Sequence, residues 1–307
     1  MADIKFYDFE FNLLHLEPFA VSANFTVKFC GEGSFELHFP KNFSAKRELL
    51  NNFSIKDGKG ICIVYGSRTG IVTGMRIEND FAVYGKTCDF ILRKKVVLPY
   101  ENLKIYNPYN LCSHFLGNAF SSTDPVTLKQ TSETFDNIAS SPLAEKSPKT
   151  LYDTLCGIIS DAGLGYRMVF DTSAKKWVFE LLKPGVSEST FICDSAAAYD
   201  ISMTFDTKNY FSHTLSKNSS GTYEFTKKHD GTGLYRWEEL SKTEEDLLCD
   251  LDFKFINTEF EKDYFLGDKF KIRTENGIFR VTVTEVSISY EGDIAKQCPK
   301  LKISKEE

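Results

Sequence analysis

The sequence predicts a β-rich α+β protein, with two small β-barrel-like domains and an α/β unit between them. Three observations predict it. Phe and Tyr are abundant, 27 and 14 in 307 residues, whereas Trp occurs twice; aromatic side chains favour pleated, half-buried faces. Short runs of period-two alternation fill both ends of the chain, separated by Gly-containing turns. A clear helical stripe occurs near the middle, just before a hairpin pattern.

The first barrel-like domain is expected over residues 1–105. In "FTVKFCGEGSFELHFP" (Phe25 to Pro40), Phe25, Val27 and Phe29 share one face. A Gly-Glu-Gly turn follows, and Phe35, Leu37 and Phe39 return on one face, which is a hairpin. His38 alternates onto the opposite, solvent-facing side. Ser44 to Phe53 is a short helix or turn. Gly60 to Leu98 reads as three or four more strands separated by glycine turns, a density that suits a small barrel or sandwich. Residues 106–149 are expected to be an irregular connector, because "AFSSTDPVTLKQTSETFDNIASSPLAEKSPKT" is rich in Ser, Thr and Pro and poor in periodicity.

Residues 150–240 hold the α/β unit and a further β region. Ser147-Pro148 is expected to open a helix whose stripe is Leu151, Leu155, Ile158 and Ile159. Gly163 and Gly165 end it, as residues for which positive φ costs little. Met168 and Phe170 lead into a hairpin that returns through Trp177, Phe179 and Leu181. The second barrel-like domain, 241–307, begins as a short acidic helix in "SKTEEDLLCDLDFKF" and continues as strands.

The two ends share a pattern. Moved by 207 positions, Gly267 falls on Gly60, Gly277 on Gly70, Glu285 on Glu78 and Gly292 on Gly85. Phe270 and Ile272 fall on Ile63 and Tyr65 in phase, and the next strand slips by one residue. Turns need glycine, so two unrelated meanders would share such spacing. Two similar barrels would share it as well, and three such chains would present six of them, enough for a threefold ring to meet a sixfold partner.

Composition removes several function classes. The chain has 37 basic and 43 acidic residues, a net charge of −6, without the basic excess of a dedicated nucleic-acid binder. The eight cysteines are scattered with no CxxC pair, which disfavours a zinc site. "MADIKFYDFEFNLL" lacks a basic stretch followed by an apolar one, so synthesis in a cytoplasm with mostly reduced, buried cysteines is expected. No apolar run approaches the ~20 residues of a membrane helix. The five histidines form no HExxH pair, and neither GxGxxG nor a P-loop is present. "SAAAY" is no nucleophile elbow. With 43 acids no carboxylate pair stands out, and Asp268 in a Leu-Gly-Asp turn reads as turn-stabilising. No catalytic residue, cofactor or metal ligand is therefore assigned. The basic run "LRKKVV" (Leu92 to Val97) reads as a solvated face or a contact for an acidic neighbour.

Three segments in order carry a family resemblance. "GEGSFELHFP" holds Gly33, Phe35 and Glu36. "TLYDTLCGIISDAGLGYRMVFDTSAKKWVFELL" holds Gly163 and Gly165. "DYFLGDKFKI…VTEVSIS" holds Asp263, Tyr264, Gly267 and Asp268. Together they resemble the siphovirus-type tail proteins allied to the baseplate hubs of contractile phage tails, over most of the chain. Departures are "IVYGSRTG" and "FILRKKVV" (with Arg93, Lys94 and Lys95) where the family carries a Trp strand and an Arg pair, and a 121–149 loop without counterpart. The resemblance implies a non-enzymatic, trimeric hub ring at the tip of a phage, prophage or tailocin tail. Such a ring joins the hexameric tail tube to the spike or tail-tip protein, with the tape measure protein as a further neighbour and DNA sliding through the lumen unbound. A tail-associated wall-degrading enzyme and a carbohydrate-binding β-protein stay open as alternatives.

Overall fold

The computed structural model describes residues 3–53, 60–192, 198–206, 212–217, 222–227, 238–240, 248–255, 258–274, 277–291 and 294–304. The first part of the chain forms β1 (Ile4–Asp8), β2 (Leu13–Glu17), β3 (Ser22–Lys28), β4 (Ser34–Phe39), α1 (Lys46–Asn52), β5 (Ile61–Tyr65), β6 (Arg68–Ile77) and β7 (Phe81–Thr87). A 3-10 segment, Cys88–Lys94, leads to β8 (Val96–Val97), β9 (Tyr100–Leu103), α2 (Pro108–Ala119), β10 (Val126–Leu128), β11 (Leu143–Glu145), β12 (Lys149–Thr150), α3 (Leu151–Asp161), β13 (Gly165–Asp171) and β14 (Lys176–Leu182). The rest is strand: β15 (Val186–Ile192), β16 (Ala198–Asp206), β17 (His213–Lys217), β18 (Tyr223–Lys227), β19 (Glu238–Leu240), β20 (Leu248–Phe255), β21 (Lys269–Thr274), β22 (Gly277–Glu291) and β23 (Ile294–Ser304). The protein is β-rich with few helices, as the aromatic alternation predicts.

One 13-stranded sheet runs β16-β20-β23-β22-β3-β4-β7-β6-β5-β1-β2, with β21 and β15 branching from β22. The two chain ends therefore meet edge to edge. In the antiparallel β22–β3 pair, Val286 lies opposite Val27 and Ile288 opposite Phe25. Val286, Ile288 and Leu301 share one buried core with Phe25, Phe35, Leu37 and Phe81. Among the described residues the sheet does not close into a barrel. Both ends contain the expected meander, β5-β6-β7 and β21-β22-β23, but the glycine correspondence does not keep register. Glu285 sits mid-strand opposite Lys28, whereas Glu78 lies in the turn between β6 and β7. Gly292 is outside the described residues.

A second core lies under α2, α3, the 3-10 segment and the β13–β14 hairpin, built on Leu92, Leu111, Phe115, Leu155, Phe170 and Trp177. Helix α2 corrects the expectation of an irregular connector there. Asn107 caps it, accepting from Tyr109 N at 3.0 Å and Asn110 N at 3.3 Å, and Pro108 opens it where no N–H is needed. Helix α3 starts later than Ser147-Pro148. Its N-cap is Thr150, which accepts from Asp153 N at 3.0 Å, while Lys149–Thr150 pairs with Val96–Val97. The acidic-helix expectation splits: 241–247 lies outside the described residues, and Leu248–Phe255 is strand paired with β16 and β23. No helix among the described residues is long and apolar enough to cross a membrane.

Candidate functional site

The three sequence motifs meet at one junction, where β3 and β4, the β13–β14 hairpin and the 258–268 segment come together. Gly33 lies where the chain enters β4. A Cβ there would stand 2.1 Å from the Thr26 carbonyl oxygen, so only glycine fits. Its N–H donates to Thr87 Oγ1 at 2.8 Å. Phe35 is buried, and its ring covers Gly70 of β6 and Gly85 of β7, each with an imagined Cβ 2.6 Å from the ring. The aromatic ring fills the space that the two strand glycines leave. Glu36 faces the other side and pairs with Arg76 and with His38 Nε2, each at 3.2 Å. His38 is accordingly half-buried between Glu36 and Asp80 (Nδ1 at 2.5 Å), and not simply turned to solvent.

Gly163 adopts φ +65° at the end of α3, as a helix-ending glycine should. Gly165 does something else. It is the first residue of β13, and a Cβ there would stand 2.3 Å from the Phe29 ring. Gly267, at φ +85°, lies against the same ring at 2.2 Å. Phe29 thus sits between two glycines from distant motifs, held by Phe29 N donating to Thr284 O and Tyr166 N donating to Phe29 O, both 2.9 Å. The alternation puts Phe29 on one strand face with Phe25 and Val27, but β3 ends at Lys28 and Phe29 lies just past it, turned to Gly165 and Gly267 instead of the core that holds Phe25 and Val27. The third motif is a set of side-chain-stapled turns. Asp263 accepts from Glu259 N, and Asp268 accepts from Phe265 N, both at 2.8 Å. Tyr264 is buried beside Phe260.

The polar centre of the junction is Asp89, only 3% exposed. The Thr87 hydroxyl donates to one carboxylate oxygen, and the Tyr166 hydroxyl donates to the other at 2.9 Å. Burial outweighs these bonds and, with the nearby negative charge of Glu32, raises the carboxyl to about 6. The Tyr166 hydroxyl also meets the Cys156 thiol at 3.4 Å. With its proton given to Asp89, the Tyr166 hydroxyl accepts from that thiol, and the influence of Cys30 is the main cause holding Cys156 below its ordinary value, against the penalty of burial. Among the described side chains Cys30, Cys62, Cys88, Cys112, Cys156 and Cys298 are free thiols.

The basic run is used locally. Arg93 donates to Glu32 at 2.9 Å and stacks 3.7 Å over Tyr152, Lys94 lies over Phe90 and Lys95 over Phe120. A cavity of about 440 Å³ opens beside this network between β3, β4, β13 and the 260–268 segment. No group of three His, Cys, Asp or Glu among the described residues could hold a metal ion. The junction is built for holding three parts of the chain in register.

The overall fold recurs in solved structures. A tail protein from Neisseria meningitidis MC58 superposes with a TM-score of 0.62 at 13% identity, covering 98% of this chain and 96% of that one. The fold is that of phage tail proteins. The 43 kDa tail protein of prophage MuSo2 from Shewanella oneidensis is similar at TM-score 0.61 and 9% identity, covering 99% and 98% of the two chains. Prophage tail protein gp18 from Listeria monocytogenes EGD-e follows at 0.57 and 10%, covering 100% and 96%. No protein-family model and no curated relative matches the sequence.

Proposed function

We propose that this chain is a structural, non-enzymatic hub protein of a phage, prophage or tailocin tail tip. Three copies form a ring that joins the hexameric tail tube to the spike or tail-tip protein, beside the tape measure protein. The observation that carries the reading is similarity to three tail proteins over nearly the full length of every chain. In this reading each chain end, with its own three-stranded meander, is one barrel-like domain, 1–105 and 241–307, flanking the connector 106–149 and the unit 150–240, the two ends being joined through one continuous sheet. Three chains would then present six such domains to a sixfold tube. Net charge −6 favours a lumen through which DNA slides without being held. In this reading Gly33, Phe35, Glu36, Gly163, Gly165, Asp263, Tyr264, Gly267 and Asp268 are scaffold residues that fix the junction. Synthesis is cytoplasmic and the final location is the tail tip.

Deletion of the gene in its host tests the role. Tail tubes without a tip assembly are expected, and complementation should restore the tips. Complete, infective tails in the deletion strain would refute the reading. Loss of wall lysis on replacing a single Asp or Glu, with tails still assembled, would favour a tail-associated enzyme instead.

A further inference from the structure

We propose that Cys30 and Cys156 form a peroxide-responsive dithiol that closes to a disulfide between the β3–β4 turn and helix α3. The inference does not rest on the tail reading. Three contacts lay the turn against α3 and the neighbouring β13. Phe29 O accepts from Tyr166 N at 2.9 Å, and Glu32 N donates to the Tyr152 hydroxyl at 2.9 Å. Between them the Cys30 thiol reaches the Cys156 carbonyl oxygen at 4.0 Å. Tyr152 and Cys156 are four residues apart on α3 and so lie on one face of the helix. The two cysteines are 126 residues apart in the chain, yet their thiols are hydrogen-bonded to each other.

Neither thiol is sealed in. Both are partly exposed, whereas Cys62, Cys88 and Cys112 are buried. The surroundings also divide the pair. Contact between the two thiols is the main cause that lowers Cys156 and raises Cys30, and burial adds to the rise at Cys30. Burial pushes Cys62 well above its ordinary value, and Cys88 and Cys112 up to about 12. The thiolate is the nucleophile, so Cys156 reacts first. A thiolate-forming cysteine, partly open to solvent and beside a second thiol, is what a redox-responsive site requires. The step balances with a peroxide as oxidant. The Cys156 thiolate attacks one peroxide oxygen and the O–O bond breaks. A sulfenic acid forms, and the hydroxide released takes up the proton that Cys156 gave up. The Cys30 sulfur then attacks the Cys156 sulfur and displaces its oxygen as water. Two thiols and one peroxide become one disulfide and two waters. The bond would tie the turn between β3 and β4, strands of the first core, to α3 of the second.

The test treats the full, reduced chain with equimolar hydrogen peroxide under native conditions and follows thiols and linked peptides by mass spectrometry. A peptide pair joined through Cys30 and Cys156 is expected, reversed by dithiothreitol, with the Cys156 thiol lost at least about tenfold faster than those of Cys62, Cys88 and Cys112. Cys30→Ala should halt the reaction at a Cys156 sulfenic acid that dimedone traps. Cys156→Ala should slow oxidation of Cys30 at least about tenfold. The proposal is overturned if the unaltered chain forms no such pair, if Cys156 reacts no faster than the buried thiols, if it joins a different cysteine, or if Cys30 is oxidised as fast without Cys156.

Discussion

Replacing Asp89 with Asn should flatten part of the pH dependence of stability. The buried carboxyl sits at about 6 in the folded chain against an ordinary value of 3.8. A raised carboxyl means that the folded state holds the proton more tightly than the unfolded state. Stability from this group therefore grows as pH falls through 6 toward 3.8 and is lost as pH rises through 6. The full difference of about two pK units corresponds to about 3 kcal/mol. Between pH 7.5 and pH 5 the linkage relation makes this contribution about tenfold in the unfolding constant, or between about 1 and 2 kcal/mol. Other carboxyls act in the opposite sense. Hydrogen bonds from Lys149 and His38 hold Glu145 and Asp80 low, so the comparison between parent and variant isolates Asp89. The assay is urea unfolding at the two pH values in a Trp237→Phe background, where Trp177 in the second core is the remaining Trp. Asp89→Asn should reduce the gain in stability on going to pH 5 by about tenfold in the unfolding constant. An unchanged gain would show that the carboxyl is not buried as described, and the account of the junction would fail.

Three further substitutions test the packing. Gly70→Ala drives a methyl against the Phe35 ring at 2.6 Å and the Lys86 carbonyl oxygen at 2.8 Å and should cost about 2 kcal/mol, whereas Gly74→Ala meets the half-exposed Tyr84 ring, which can swing away, and should cost less than about 1 kcal/mol by urea denaturation. Equal costs would contradict the ring-over-glycine packing. Phe29→Ala empties the space between Gly165 and Gly267; a loss of about 2 kcal/mol and faster amide exchange at Tyr166 are expected, and unchanged exchange would disconnect Phe29 from the junction. Thr150→Ala removes the α3 cap and should cost about 1 kcal/mol in thermal unfolding, with Thr150→Asn close to the parent.

Much of the local structure was legible in the sequence because period-two alternation registers burial directly. Phe35, Leu37 and Phe39 are buried as their spacing predicts. The turn role of Asp268 and the positive φ of Gly163 follow from residue chemistry alone. Helix α2 was hidden because Asn, Ser, Gly and Pro dilute its pattern, although the Asn-Pro start and the Leu111, Cys112, Phe115, Leu116 spacing carry the signal. The second role of glycine was not legible. Gly70, Gly85 and Gly165 lie in strands at ordinary φ and are needed for the rings above them, and which ring covers which glycine is fixed by pairing over long separations. For the same reason two similar end segments could be recognised while the β3–β22 seam that joins them could not.

Light scattering on the purified chain, with negative-stain imaging of the same fraction, tests the ring most directly. Three copies of 34.9 kDa give a mass near ~105 kDa, and the particles should be rings with a central hole. A 34.9 kDa monomer without rings, even after co-expression with a tail-tube protein, would contradict the trimeric hub.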